Sequence, residues 1–311
     1  MHKKNIFNIK ITYDDQKQRI DNFVRKKFHK IPKNALYKML RTGDIKINTK
    51  KIQPDYKLEV GDTLSYYKTI KLKNNNKNIL LNNTMKKKFL SYILFEDNHL
   101  LILNKPTGIP VHGGSGLKFG IIEIFRLLYS HSHFLELIHR IDRNTSGILM
   151  LAKKKSTLKN IHQQFRENKI FKSYTAILHG ILDYNIKHVS VPIYKNMKNG
   201  KKIITVNPLG KQSTSTFKFK KKINQHTLVE IIPRTGRTHQ IRVHAAHIGH
   251  PIVFDDIYGH CKLDNNIQVK KKYKQILLHA SKIIFYHPDN NKKYHIYAPL
   301  EDKFIKFFQN I

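Results

Sequence analysis

Cysteine is almost missing from this chain: Cys261 is the only one in 311 residues. A disulfide framework is therefore excluded, a cysteine-based structural zinc site is not expected, and a reducing compartment fits. Cys261 lies in a polar, lysine-rich stretch, which argues against an RNA methyltransferase built on a cysteine nucleophile. Tryptophan is absent, while Lys, Asn and Ile abound, as an A/T-rich genome would produce. Long apolar runs are absent too. No stretch approaches the roughly 20 residues a membrane span needs, and the basic N-terminus, residues 1–10, has no apolar run of signal-peptide length. The expectation is a soluble, cytoplasmic, monomeric protein. Acidic residues are scarce: 21 Asp and Glu against 58 Lys and Arg leave a formal net charge of +37. Base composition raises lysine everywhere, but a surplus this large is a statement about partners. A polyanion, RNA or DNA, is the partner it points to.

What is present divides into two regions and a linker. Between Arg19 and Tyr67, Ile20, Phe23, Val24 and Phe28 recur at helical spacing. Pro32 stops that helix, and Ala35, Leu36, Met39 and Leu40 begin another that Gly43 caps. Ile45, Ile47 and Val60 then suggest short strands. The helices carry Arg19, Arg25, Lys38 and Arg41, a basic surface suited to RNA. Residues 68–88 are rich in Asn and Lys and read as a flexible basic linker. From Phe89 onward short strands alternate with a few helices: strands at Tyr92–Leu94, Leu100–Leu103, Ile148–Ala152, Tyr174–Leu178, Thr227–Ile232 and Lys282–Tyr286, and a helix at Ser156–Asn168. The order has no strict βα repeat, so the expected fold class is α+β with a mixed, largely antiparallel central sheet, preceded by a small α/β module. The expected domains are residues 1–67, 68–88 and 89–311.

Arginine is distributed unevenly. Only ten of the 58 basic residues are arginine, and five of the ten fall in two short windows. The first is His139-Arg-Ile-Asp-Arg-Asn-Thr-Ser-Gly147, and the second is Arg234-Thr-Gly-Arg-Thr-His-Gln-Ile-Arg-Val-His244. A guanidinium pairs bidentately with carboxylate or phosphate and stacks on bases, which an ammonium does not do. Asp142 sits between Arg140 and Arg143. Held near cations it stays ionised, and it is either a pre-positioned nucleophile or one half of a structural ion pair.

Other motifs fail on their context. His139-Arg-Ile-Asp142 has kinase-loop spelling, but no glycine-rich nucleotide loop precedes it and no Asp-Phe-Gly follows. Gly108 to Gly113 has phosphate-loop spacing, but Gly114-Ser115 replaces the lysine such a loop requires. No glycine-rich fingerprint for a dinucleotide opens a βα unit. His239, His244, His247 and His250 cluster without the carboxylates or cysteines of a metal site.

These windows resemble the RluA/RluC type of pseudouridine synthases, along almost the whole chain. The Asp142 window is similar to that family's signature, with Ile141 where Leu is usual. Asn104-Lys-Pro-Thr-Gly-Ile-Pro-Val-His112 resembles its first motif, Lys172-Ser-Tyr174-Thr-Ala176 its tyrosine motif, and Arg234–His244 its arginine motif. The tail from His287-Pro288 to Ala298-Pro299-Leu300 fits as well. His112–Leu117, Phe134–Leu137 and Phe254–Gly259 resemble the RluC subgroup, which acts on 23S rRNA of the large ribosomal subunit. The N-terminal region resembles the S-four RNA-binding domain. The resemblance implies the pseudouridine synthase fold and isomerisation of several 23S uridines on flipped-out bases. It implies Asp142 as nucleophile, toward either uracil carbon-6 or the ribose. Tyr174 would stack near the base or move a proton, and Arg237 would pair with Asp142. Arg140 would fill the gap left by the base, and Ile241 would pack on it. Lys105, His139 and Arg143 would join the substrate site. No cofactor and no metal are implied, because the reaction is a redox-neutral isomerisation. Two rivals are a non-catalytic ribosome-assembly protein, which has no use for a carboxylate facing RNA, and a methyltransferase, for which no adenosyl-donor motif is found.

Overall fold

The computed structural model describes residues 6–13, 15–28, 31–67, 81–113, 119–130, 134–183, 185–198, 201–270 and 273–309. Most of the expected linker, residues 68–80, and the segment Gly114–Leu117 lie outside them. The chain divides into two units, Met1–Leu80 and Leu81–Ile311, each with its own core.

The first unit carries β1 (Ile6–Lys10), α1 (Ile20–Lys27), α2 (Lys33–Thr42), β2 (Ile45–Ile47) and β3 (Thr63–Tyr67). The strands form an antiparallel sheet in the order β1-β3-β2. The apolar residues that set the helical spacing, Ile20, Phe23, Val24, Phe28, Leu36 and Leu40, are all buried, with Ile45, Ile47 and Leu64 against them. Gly43 ends α2 in the left-handed region (φ 83°), and its N–H returns to the Met39 carbonyl at 3.0 Å. Val60, expected in a strand, sits instead in an exposed turn before Gly61 (φ 93°), and the strand starts at Thr63.

The second unit opens with α3 (Asn83–Leu90). This corrects the linker reading for its last residues. Asn82 caps the helix by accepting the Met85 N–H at 2.8 Å, and Phe89 alone is buried. A solvated helix with one apolar anchor shows no periodicity, so its Lys-rich composition looks like a linker. Then follow β4 (Ile93–Glu96), β5 (Leu100–Lys105), α4 (Ile121–Leu128), β6 (Glu136–Leu137), β7 (Ser146–Ala152), α5 (Lys155–Arg166), β8 (Phe171–His179), β9 (Ile186–Lys198), β10 (Lys201–Val206), β11 (Lys211–Ile223), β12 (His226–Pro233), α6 (Gln240–His247), α7 (Cys261–Asn265), β13 (Leu278–Tyr286), β14 (Lys293–Tyr297) and α8 (Asp302–Gln309). Among the described residues one eleven-stranded sheet runs β10-β9-β11-β12-β8-β13-β7-β5-β4, with β14 on β13 and β6 on β7. Only the β13–β7 pair is parallel, so the sheet is mixed and largely antiparallel as expected.

The register places the chemistry. Ala280 in β13 lies opposite both Gly147 in β7 and Tyr174 in β8. Tyr174 in turn lies opposite Ile231 in β12, just before the second arginine window. Three motifs distant in sequence thus reach one end of four adjacent strands. Gly147 makes this possible: it sits at φ 104°, and a Cβ there would meet the Ala280 carbonyl oxygen at 2.3 Å. A strand junction this close admits only glycine.

Candidate active site

Asp142 lies in the turn between β6 and β7, where the Thr145 N–H donates to its carbonyl at 3.2 Å. A second loop, Pro106–Ile109, lies beneath and is sewn to this turn. Gly108 N–H donates to the Arg143 carbonyl (2.9 Å), Arg143 Nε donates to the Gly108 carbonyl (2.8 Å), and the Thr107 hydroxyl donates to the Asn144 carbonyl (2.6 Å). Lys105, fully buried at the end of β5, completes the seam. Its ammonium donates to the carbonyls of Pro106 (2.8 Å), Ile109 (2.9 Å) and Arg143 (3.1 Å). Burial pushes this lysine down to about 7, while the carbonyl cage satisfies its donors.

The facing wall is the start of α6. Arg242 is buried and grips Asp255 with both arms of its guanidinium, Nε at 2.7 Å and Nη2 at 2.6 Å, and reaches Asp256 at 3.0 Å. Asp255 is completely buried and also accepts the N–H groups of Ile257 and Tyr258. Burial works against the Arg242 charge, but hydrogen bonds to Asp255 and the nearby Asp142 and Asp256 carboxylates raise its pKa above the ordinary value. Its remaining arm, Nη1, faces Asp142 Oδ2 at 3.8 Å. His239 Nε2 lies at the same distance from that oxygen. Tyr174 stands half-buried beside them. Burial, and then the Asp142 charge, push its phenol up, so it keeps its proton at neutral pH.

These groups line a cleft of about 1370 Å³ that also holds Ile241, Lys172 and the exposed Arg140. A partly exposed carboxylate sits with a protonated phenol, an apolar wall and a buried guanidinium. Arg234 and Arg237 are exposed at the same cleft. The arrangement suits a planar base carried on a polyanionic strand. Among the described residues no group of three His, Cys, Asp or Glu side chains converges for a metal. The clustered histidines go to separate partners, His239 to Tyr258, His244 to Ser213 and His250 to the His179 carbonyl.

Residues 99–247, which include both arginine windows and Tyr174, match the family model of RNA pseudouridylate synthase. The chain is 49% identical over 304 residues to ribosomal large subunit pseudouridine synthase C of Buchnera aphidicola subsp. Schizaphis graminum, covering 97% of this chain and 96% of the relative. It is 50% identical over 295 residues to the protein of that name from Buchnera aphidicola subsp. Acyrthosiphon pisum, covering 94% of each. The chain belongs to the RNA pseudouridylate synthase family. Among solved structures, human RNA pseudouridylate synthase domain containing 4 superposes with a TM-score of 0.60 at 23% identity, covering 73% of this chain and 95% of that one. At that identity the likeness concerns the fold.

Within this pseudouridine synthase the structure redistributes several expected roles. The arginine whose guanidinium faces the Asp142 carboxylate, at 3.8 Å, is Arg242; Arg237 was the expected one. Helix α6 begins at Gln240, which puts Arg242 in its first turn, facing inward. Arg237 belongs to the preceding turn, where Gln240 Oε1 accepts its backbone N–H at 3.0 Å. Its side chain is exposed, and among the described residues it makes no ion pair with Asp142. Lys105 and the Nε of Arg143, both expected at the substrate, bond the seam beneath the Asp142 turn. His139 lines the cleft, but its Nε2 accepts the Met150 N–H at 3.1 Å, and burial, with Lys172 nearby, pushes it down to about 4. Through that bond it anchors the turn as a neutral ring. Asp142, Tyr174, Arg140 and Ile241 do share the cleft. Asp255 and Tyr258 are site residues that the sequence did not single out, and His239, noted there only within the histidine cluster, joins them beside Asp142. The one signal for the first two was the Phe254–Gly259 segment, whose Asp255 lies 13 positions beyond Arg242.

Proposed function

We propose that this pseudouridine synthase isomerises specific uridines of 23S rRNA, with Asp142 as the nucleophile and a base flipped into the cleft beside it. The observation that carries the reading is the Asp142 carboxylate at the cleft, faced by Arg242 and flanked by Tyr174. Flipping costs a few kcal/mol, and the exposed Arg140 would offset it by occupying the vacated stack. The N1–C1′ bond breaks, the base turns, and a C5–C1′ bond forms. The proton on C5 departs and N1 gains one, so the balance needs no oxidant, metal or group donor. Ile241 supplies the apolar face for the base, and Tyr174 acts as a neutral phenol against it. The large-subunit substrate follows the names of the relatives, and the expected setting is a monomer in the cytoplasm, where ribosomes assemble.

The N-terminal unit fits a second RNA contact of the S-four type. Lys38 and Arg41 lie on α2 beside a hollow of about 590 Å³ that Lys51 also lines, and Arg25 is exposed on α1. Arg19 is occupied by Asp21, with Nη2 at 2.9 Å, so it contributes less than the other three. A purely binding protein would gain nothing from a carboxylate in a cationic cleft, where it repels phosphate. The test is release of tritium from C5-labelled transcripts, since isomerisation frees that hydrogen. We expect stoichiometric release from 23S rRNA and background from 16S rRNA and tRNA. Release from tRNA alone would move the substrate, and no release from any RNA would refute the assigned chemistry.

A further inference from the structure

We propose that His239, aligned by Tyr258, is a positioning residue that holds the Asp142 carboxylate in one rotation, with one oxygen engaged and the other presented to the flipped uridine. The inference rests on the nucleophile role of Asp142 proposed above. His239 occupies an unusual backbone position: it precedes α6 in the left-handed region at φ 52°, a conformation that costs a non-glycine residue about 1 kcal/mol or more. The ring that this bend directs inward has two defined neighbours. Its Nδ1 lies 2.9 Å from the Tyr258 hydroxyl, and its Nε2 lies 3.8 Å from Asp142 Oδ2.

Tyr258 Oη accepts the backbone N–H of Ile204 in β10, at 3.0 Å, and its own proton remains to be given. We assign that proton to His239 Nδ1, 2.9 Å away, which leaves the hydrogen of the neutral imidazole on Nε2, the atom aimed at Asp142. Burial favours the neutral ring, since it lowers the histidine pKa despite the Asp142 charge.

Tyr258 also braces the second partner of Asp142. Its ring lies 5.2 Å from the Arg242 guanidinium carbon, and its backbone N–H donates to Asp255 (3.0 Å), the carboxylate that grips Arg242. One residue therefore orients both groups that approach Oδ2. A base and its strand filling the cleft would exclude water and shorten both contacts, as catalytic hydrogen bonds commonly tighten on substrate binding. A carboxylate fixed on one oxygen attacks with the other along a single direction, and such orientation is worth orders of magnitude in rate.

The test compares single-turnover rate constants and RNA affinity for the full-length protein, with a 23S rRNA transcript tritiated at uridine C5. Tyr258→Phe keeps the ring against Arg242 and removes the hydroxyl. His239→Gln keeps an N–H donor within reach of Asp142, whereas His239→Leu does not. Both substitutions bear the same backbone strain, so their difference isolates the donor. We expect Tyr258→Phe to be slower by about tenfold and His239→Leu by about 100-fold, with RNA dissociation constants within twofold. Recovery of at least tenfold of the lost rate is expected in His239→Gln. Equal rates for Gln and Leu, or a Tyr258→Phe enzyme as fast as wild type, would overturn the proposal. Losses that track a lowered melting temperature or weakened RNA binding would do the same, since they mark a structural role. Asp142→Asn is measured alongside: if it turns over normally, the nucleophile reading has failed, whereas a dead Asp142→Asn beside an unaffected Tyr258→Phe removes this inference alone.

Discussion

Arg242 and Arg237 stand five positions apart in one window, and their surroundings assign them opposite duties. Arg242 neutralises a completely buried Asp255, so Arg242→Ala leaves that carboxylate unpaired. We expect a loss of about 3–5 kcal/mol, read from urea denaturation, together with severe loss of turnover. Arg237→Ala, at an exposed cleft position, should cost less than about 0.5 kcal/mol and mainly weaken RNA binding and its salt dependence. Equal destabilisation by the two would contradict the assignment. The windows themselves were legible because guanidinium is rare in this chain and concentrated where it is needed. Which arginine turns toward Asp142 was not legible, because the first residue of α6 decides it and spacing does not report that. The seam that Lys105 and the Arg143 Nε make with loop carbonyls was not legible for a related reason: spacing shows a cation beside a catalytic motif, and only the folded loop shows which carbonyls it meets.

At the scale of elements, the site depends on β7 and β13 running parallel at close approach. Gly147→Ala puts a methyl group on the Ala280 carbonyl and forces a residue to φ 104°. The expected destabilisation is at least about 2 kcal/mol, with turnover lost as the Asp142 turn shifts; a variant with wild-type melting and activity would contradict the register argument. Elements with a strong apolar period were readable. Strand β5 was expected at Leu100–Leu103 and runs Leu100–Lys105. Helix α5 was expected at Ser156–Asn168 and runs Lys155–Arg166, ending just before Asn168 at φ 54°. Elements whose apolar signal is diluted were missed. Strands β9 and β11 are 13 residues each, and polar residues hide their alternation: Lys and Asn at exposed positions, and in β11 Ser213 and Ser215 at buried ones. Helix α3 looked like a linker because its burial rests on Phe89, and α8 was overlooked although Phe304 and Phe307 are fully buried.

For the molecule as a whole, two separate cores imply that a chain starting at Leu81 folds by itself. Deleting residues 1–80 should leave a cooperative melt and turnover on RNA at high enzyme concentration, with weaker RNA affinity and a shallower salt dependence; loss of cooperative unfolding would contradict the division. Acid should destabilise the protein through its buried histidines. Burial pushes His244 and His279 down to about 4 from an ordinary 6.5. The unfolded chain then takes up protons first, so stability is intact above about pH 6.5 and falls as pH drops toward 4, by up to about 3 kcal/mol per histidine. Urea midpoints at pH 7.5, 6 and 5 would record this decline, and a flat profile would refute it. No helix among the described residues is long and apolar enough to cross a membrane, and a net charge of +37 calls for a polyanionic partner at the scale of the whole surface. The role of Asp142 is tested by a pseudouridine map of 23S rRNA from cells lacking the gene, complemented with wild type or with Asp142→Asn. Specific sites should vanish, return with wild type and stay absent with Asp142→Asn; their restoration by Asp142→Asn would show that this carboxylate is not the nucleophile.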